Sequence, residues 1–477
     1  MNISQRRTKI VCTLGPSSDS EEKIEQLVRN GMDVARINFS HGTHKQHGEK
    51  IEILRRVADR YGKSLPILAD LQGPKIRVGQ MKDGIQYLEA GQYVTLTSDD
   101  VIGTDEVIPI DYRELAQDAV EGNKILMDDG LLELKIVKKN SSDLVAQVVV
   151  GGGLKSRKGV NLPDVKISMP SLTQKDVIDL EFALKQGVDY VAMSFVRTAN
   201  DIQEVISRVR AAGSQAGIIA KIEKPEAVEV IDDIIEESDG IMVARGDLGI
   251  EIASEKVPMV QKSIIHKCRK AGKPVITATQ MLDSMIHNPR ATRAESSDVA
   301  NAVLDGTDAV MLSGETAAGA YPIEAIQAMD KICRSVEESA SHIYNSLEYR
   351  KPEWKEKQII ESLAYSCVML AENVEAKAIS TITHSGSTAR RIAKFRPHVP
   401  IVAFTESNEV RRQLGLVWGI SPVKLDEIFD TDKSVKLMEE YLKENGMVEQ
   451  KDRIIIATGM PVAKKGRTNM VKVSIIE

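Results

Sequence analysis

The sequence offers little aromatic surface: Phe, Trp and Tyr make up 4% of its 477 residues, which argues against a stacking platform for single-stranded nucleic acid. It also lacks a field of one sign. Its 63 basic and 69 acidic residues are interspersed, leaving a net charge of −6, so neither nucleic acid nor a membrane is an expected partner. Cysteine is sparse: Cys12, Cys268, Cys333 and Cys367 lie far apart, without the paired spacing of a zinc site or disulfide framework, and suggest a reducing, cytoplasmic compartment. No apolar run reaches the roughly 18 residues that a membrane span needs. The opening MNISQRRTKIVCTLG passes from a basic tip into strand-like sequence, with no signal-peptide pattern. A soluble, unprocessed protein is expected.

What the chain does contain is a recurring rhythm of short Val- and Ile-rich runs separated by helix-length amphipathic segments. Eight such runs stand out, at 9–14, 34–39, 66–71, 190–195, 217–222, 240–245, 274–279 and 309–313. Parallel strands with crossover helices read this way, and eight of each predict a closed α/β TIM barrel, (β/α)8, over 1–73 and 171–344. The segment 21–30, closed by Gly31, predicts one of its helices. Between the third and fourth runs the texture changes: QYVTLTS, EVIPIDY and KILMDDGLLELKIVKK are strand-like, with Asp129-Gly130 as a hairpin turn. This predicts an inserted β domain over 74–170, hinged at Gly73-Pro74 and near Pro170. A polar stretch at 346–357 marks a boundary to a third domain, 345–477, an open α/β unit with a helix at 358–374 and strands AISTIT, VPIVAF, RIIIAT and MVKVSII. Since the chain closes on that last strand, no further domain is expected.

In barrels of this class the chemistry sits at the C-terminal ends of the strands. Those ends are polar here: Arg36, Asn38 and Ser40 after the second strand, Asp70 after the third, Lys221 and Glu223 after the fifth, Arg245, Gly246 and Asp247 after the sixth, Thr277 and Thr279 after the seventh, Ser313 and Glu315 after the eighth. Lys221 and Glu223, two apart on an extended chain, share a face, either as a surface ion pair or toward the mouth. Asp247 is either a helix cap or, with Glu223, one of two carboxylates suited to Mg²⁺, which is completed by substrate oxygens and water. A lysine beside such an ion would neutralise a phosphoryl group in transit. The arrangement suggests phosphoryl transfer without a P-loop.

The segments ARINFSHG, KGVNLP, AKIEKPEAV, MVARGDLGIEI, ITATQMLDSM and TRAESSDVANAVLDGTDAVMLSGETAAGAYP closely resemble the pyruvate kinase family, in the family's order and over nearly the whole chain. The resemblance implies Mg²⁺-dependent (or Mn²⁺-dependent) transfer of the phosphoryl group of phosphoenolpyruvate to ADP, giving pyruvate and ATP in glycolysis, with 74–170 as a β-barrel lid and a homotetramer as the assembly. It implies Arg36 as a phosphoryl contact, Lys221 as the group stabilising the transferring phosphoryl, and Glu223 and Asp247 as metal ligands. Gly246, Asp247 and Thr279 would hold the substrate, Thr279 and Ser313 would relay the proton, and Asn38, Arg77 and Lys158 would contact the nucleotide.

Asn38, Ser40 and Asp70 resemble the residues that hold a monovalent cation, usually K⁺. Where cation-requiring relatives have Thr and Glu, this chain has Leu71 and Lys75. An ammonium group can stand in for K⁺, so activity without K⁺ is expected, the alternative being a Lys75–Asp70 salt bridge. In the third domain the loop Thr383, His384, Ser385, Gly386, Ser387, Thr388 precedes a helix pattern, and GMPVAKKGRTN brings Lys464, Lys465 and Arg467. Hydroxyls and free N–H groups there suit a phosphate; the resemblance implies an allosteric sugar phosphate or nucleotide effector. A Mg²⁺-dependent barrel lyase or aldolase acting through a pyruvate enolate is the competing enzyme reading.

Overall fold

The computed structural model describes residues 6–140, 142–339, 359–427, 430–460, 462 and 466–477. The eight apolar runs form parallel strands, Lys9–Leu14, Val34–Asn38, Ile67–Asp70, Tyr190–Met193, Gly217–Ile222, Gly240–Ala244, Val275–Ala278 and Ala309–Leu312, closed into one barrel. The first strand pairs with both the second and the eighth. The runs are apolar throughout because each strand is covered on both sides. Val11, Val34, Leu68, Ile219, Met242 and Ile276 fill the interior, while alternate residues such as Ile10, Ile37, Val191, Ile218 and Ile241 pack against the helices. The helix expected at 21–30 spans Glu21–Arg29; Ser20 caps it by accepting from the Lys23 N–H, and Glu21 and Glu22 complement the dipole of its first turn.

The inserted domain has a hydrophobic core of its own, including Ile76, Val94, Ile125, Leu134 and Val148. Its six-stranded sheet runs from Val160–Asn161 at one edge to Val107–Pro109 at the other. The entering segment closes that sheet, because Arg77 bridges to Gly159 and Val78 to Ile110, and the lid is therefore barrel-like as expected. Asp129-Gly130 lies in the hairpin between Lys124–Met127 and Leu132–Lys139. At the entry hinge Gly73 has φ +70°, and a Cβ there would sit 2.8 Å from the Phe195 ring, so only glycine fits. The buried Asp176 carboxylate accepts from the Gly73 N–H at 3.0 Å. At the exit Arg197 holds the carbonyls of Ile167 and Met169.

The C-terminal domain is a five-stranded sheet in the order Ile420–Lys424, Ile401–Thr405, Ala378–Ile382, Arg453–Thr458, Met470–Ile475. Four of these strands match expectation, as does the helix Ile359–Asn373. The fifth, Ile420–Lys424, is hidden in the sequence by Pro422; it is an edge strand, where a missing N–H is tolerated. The boundary placed at 345 and the polar stretch 346–357 lie outside the described residues.

This domain covers the N-terminal end of the barrel. Leu416 joins the barrel's interior cluster, Lys9 Nζ donates to the Ile420 carbonyl at 2.9 Å, and Arg412 pairs with Asp189 at 2.5 Å. Arg396 and Asp308 form a pair at 3.1 Å with side chains 4% and 5% exposed, and Asp308 also accepts from the Trp418 N–H at 3.1 Å. Removing one member of a buried pair strands the other charge. Asp308→Ala is therefore expected to lower unfolding free energy by about 3–5 kcal/mol, measured as a drop in denaturant midpoint.

Candidate active site

The third strand ends in Asp70, 1% exposed, and two cations share its carboxylate. Arg36, from the second strand, approaches Oδ2 through Nη2 at 2.6 Å and Nε at 2.7 Å, while Lys221, from the fifth, lies 3.2 Å from Oδ1. Burial pushes the Asp70 pKa up, but Lys221 and Arg36 outweigh it and hold the carboxyl below its ordinary 3.8. Lys221 Nζ also lies 2.9 Å from Glu223 and donates to the Ser194 hydroxyl at 2.6 Å. Burial opposes its charge, yet Asp70 and Glu223 together raise its pKa above the ordinary value. Lys221 is thus a half-buried ammonium whose charged form the two carboxylates favour. Glu223, also 1% exposed, accepts from the Phe195 N–H at 2.9 Å. Its pKa is raised by burial, against the pull of Lys221 and with the like charge of Asp247 adding to the rise.

Asp247 lies in the first turn of the short helix Arg245–Glu251, directly after the sixth strand. The Thr279 hydroxyl accepts from the Gly246 N–H at 2.7 Å and donates to the Ala278 carbonyl at 2.6 Å. Thr279 sits at φ +68°, a left-handed conformation that costs a β-branched residue about 1–3 kcal/mol and tends to mark a functional turn. Arg245 braces that turn, donating to the Thr279 carbonyl at 2.8 Å and pairing with Asp298 at 2.7 Å. The Ser313 hydroxyl is buried and, among the described residues, has no hydrogen-bond partner.

Some expected residues take structural roles. Thr277 is fully buried and bonded to the Thr307 hydroxyl at 3.0 Å, and Glu315 is spent on the N–H groups of Leu282 and Ser313. A Lys75–Asp70 salt bridge does not form. Both oxygens of Asp70 are occupied by Arg36 and Lys221, and the Gly73-Pro74 turn carries Lys75 across the mouth, where Nζ lies 3.5 Å from Asp247 Oδ1. Asn38 Oδ1 accepts from the Ser40 N–H at 3.0 Å, and Leu71 is buried, its carbonyl accepting from Ser194 at 2.7 Å.

Arg77 and Lys158 come together on the lid's closing seam: Arg77 donates to the Arg157 carbonyl at 3.0 Å, and Lys158 pairs with Asp128 at 2.7 Å. Partial burial, then the positive charges of Arg77, Arg36 and Lys75, lowers the pKa of His41.

In the C-terminal domain, Thr383 Oγ1 accepts from the Gly386 N–H at 2.9 Å, and Gly386, at φ +79°, leads into the helix Ser387–Ala393. Arg390 donates to the Ser385 carbonyl at 3.1 Å, and His384 contacts the Val462 carbonyl at 3.3 Å and Glu406 at 3.4 Å. Thr388 and Thr468 meet at 2.6 Å, bringing the second loop with exposed Arg467 beside the first. Lys464 and Lys465 lie outside the described residues.

Two contacts of the mouth escaped the sequence reading. Thr13 accepts from Arg36 Nη1 at 2.9 Å, and Ser194 receives Lys221. They close the first and fourth strands, and their position at strand ends was the available signal.

Two family models match the chain: the pyruvate kinase barrel domain over residues 5–326 and the pyruvate kinase alpha/beta domain over 361–474. Pyruvate kinases of Staphylococcus epidermidis and Staphylococcus aureus are each 47% identical over 473 residues, covering 99% of this chain and 80% of the relative. A crystal structure of a pyruvate kinase from Cryptosporidium parvum superposes with a TM-score of 0.93 at 39% identity, covering 99% of this chain and 97% of the other.

The depressed pKa of Asp70 has a stability consequence. A carboxyl whose folded pKa lies below its unfolded value contributes stability above that unfolded value, and the contribution drains as pH falls through the folded pKa. Asp70→Asn is therefore expected to be less stable than the parent at neutral pH and to show a shallower loss below pH 3.8, read from denaturant midpoints across the acid range.

Proposed function

Because the chain belongs to the pyruvate kinase family, and so transfers a phosphoryl group from phosphoenolpyruvate to ADP to give pyruvate and ATP, we propose how the residues of the barrel mouth divide that work. The observation that carries the assignment is the interlocked set Arg36–Asp70–Lys221–Glu223 at the strand ends. Arg36 binds the substrate's phosphoryl oxygens, while Asp70 and Thr13 fix its guanidinium. Lys221 faces the same region with its proton secured, so it stabilises charge on the phosphoryl group in flight without surrendering the proton. Gly246, the Asp247 backbone and Thr279 orient the carboxylate and enolate end.

The family uses Mg²⁺ and a monovalent cation. The donor set fits Mg²⁺: Glu223 and Asp247 are two hard carboxylates just beyond the neighbouring fifth and sixth strands. When bound there, Mg²⁺ would neutralise phosphoryl and enolate oxygens; Mn²⁺ meets the same donors. For proton delivery the Ser313 hydroxyl has unused hydrogen-bond capacity, whereas Thr279 is committed to Gly246 and Ala278. This supports Ser313 as the end of the water relay and Thr279 as a substrate contact. On the lid, Arg77 and Lys158 bind nucleotide phosphates, with Asn38 at the mouth below them.

Lys75 serves in place of K⁺. Its ammonium adds a fixed positive charge at the mouth, 3.5 Å from Asp247 Oδ1, with Asn38, Ser40, Asp70 and Leu71 as the remnant of the cation region. The loop from Thr383 to Thr388, with Arg467, holds a phosphorylated effector, either a sugar phosphate or a nucleotide, and the assembly is a homotetramer working in the cytoplasm. Among the described residues no helix is long and apolar enough to cross a membrane. The lyase or aldolase reading finds no support, since both matching family models and the related proteins described above are pyruvate kinases.

A coupled assay of ATP formation tests the cation assignment. Full rate is expected without K⁺, and K⁺ dependence is expected to appear in the Lys75→Glu, Leu71→Thr double variant; a K⁺ requirement in the parent overturns it. With phosphorylated sugars or AMP added, the phosphoenolpyruvate saturation curve is expected to shift leftward, and Thr388→Ala is expected to abolish that shift. An unchanged curve with every effector removes the regulatory assignment.

A further inference from the structure

The helix Arg245–Glu251 carries Asp247 in its first turn and Glu251 one turn later, and side chains four apart share a helix face. Each of the two touches a residue brought in by the lid. Lys75, just past the entry hinge, reaches Asp247 at 3.5 Å, and Asn161, from the strand by which the chain heads back to the barrel, donates to Glu251 Oε1 at 2.8 Å. The same Glu251 oxygen pairs with Lys224 Nζ at 2.7 Å, with side chains 7% and 2% exposed. Lys224 directly follows Glu223. The Lys224–Glu251 pair therefore ties together the two chain segments that carry the two metal carboxylates, and the lid hangs on that tie through Asn161.

A further contact connects this network to the entry hinge. Lys224 Nζ lies 5.9 Å from the centre of the Phe195 ring, the Phe195 N–H donates to Glu223, and the same ring blocks any side chain at Gly73. A buried ion pair seldom adds net stability over an apolar pair of equal volume, and this one has no contact with the phosphoryl-binding cations. Its geometry instead fixes spacing.

We propose that Glu251 is a positioning residue, holding Glu223 and Asp247 at metal-binding separation through Lys224 and coupling that separation to lid orientation through Asn161. The proposal rests on Glu223 and Asp247 as the metal pair. By linkage, whatever the lid contributes to metal affinity the metal returns to the lid.

Full-length enzyme is titrated with Mn²⁺ in the absence of nucleotide, free Mn²⁺ is read by electron paramagnetic resonance, and amide hydrogen exchange is followed across the lid. In the parent, Mn²⁺ is expected to slow exchange in the lid seam around Arg77 and Asn161. Glu251→Gln is expected to weaken Mn²⁺ binding about 10-fold, in the range for groups that orient metal ligands. Asn161→Ala, cut on the lid side only, is expected to lose the Mn²⁺-induced slowing of lid exchange, and it carries the test where Glu251→Gln does not fold. Parental Mn²⁺ affinity in a folded Glu251→Gln, or parental lid response in Asn161→Ala, overturns the proposal. An Asp247→Asn control separates the two levels. If it loses Mn²⁺ while Glu251→Gln keeps it, the positioning role falls alone; if Asp247→Asn itself keeps Mn²⁺, the metal assignment falls and takes the proposal with it.

Discussion

The ammonium of Lys221, held between Asp70 and Glu223 under the barrel mouth, is the interaction on which the site depends. Its two carboxylate partners come from the third strand and from just beyond the fifth, with side chains 1% exposed, so each charge is compensated only while the barrel is closed. Breaking the set would leave an uncompensated buried ion. The strand ends are therefore held in one arrangement, with their cations fixed in place by the carboxylates beside them. The left-handed Thr279, braced by Arg245, is a smaller cost of the same kind, kept because the surrounding contacts over-determine it.

Around this fixed centre the molecule divides into a firm base and a hinged cover. The C-terminal domain seals the opposite end of the barrel with Leu416 and the Arg396–Asp308 and Arg412–Asp189 pairs. That domain is therefore packed directly beneath the barrel floor. The lid meets the barrel differently, through a glycine hinge gripped by Asp176, an exit held by Arg197, and polar contacts to one short helix. These contacts are polar, in contrast to the apolar Leu416 seal at the barrel's other end.

Much of this was legible in the residues. Eight doubly covered strands must be apolar along their whole length, so they announce themselves without any partner in view. The polar residues that break each run mark the end where chemistry collects. The lid's hairpin was readable from Asp129-Gly130, since few dipeptides accept consecutive left-handed conformations. Strand Ile420–Lys424 was not, because Pro422 is excluded from central strands and its edge position is a fact of the sheet order.

What the sequence by itself determined is therefore the architecture, the family and the roster of charged groups at the mouth, because periodicity and motif order are local properties of the chain. Only the tertiary structure decided which charge meets which. Lys75 follows Asp70 by five positions, yet it pairs with Asp247, 172 residues away, because the Gly73-Pro74 turn redirects the chain and Arg36 and Lys221 already fill Asp70. Ser194, Thr13 and the Lys224–Glu251–Asn161 network gained their meaning in the same way, from barrel closure and lid docking that bring distant residues within hydrogen-bond reach.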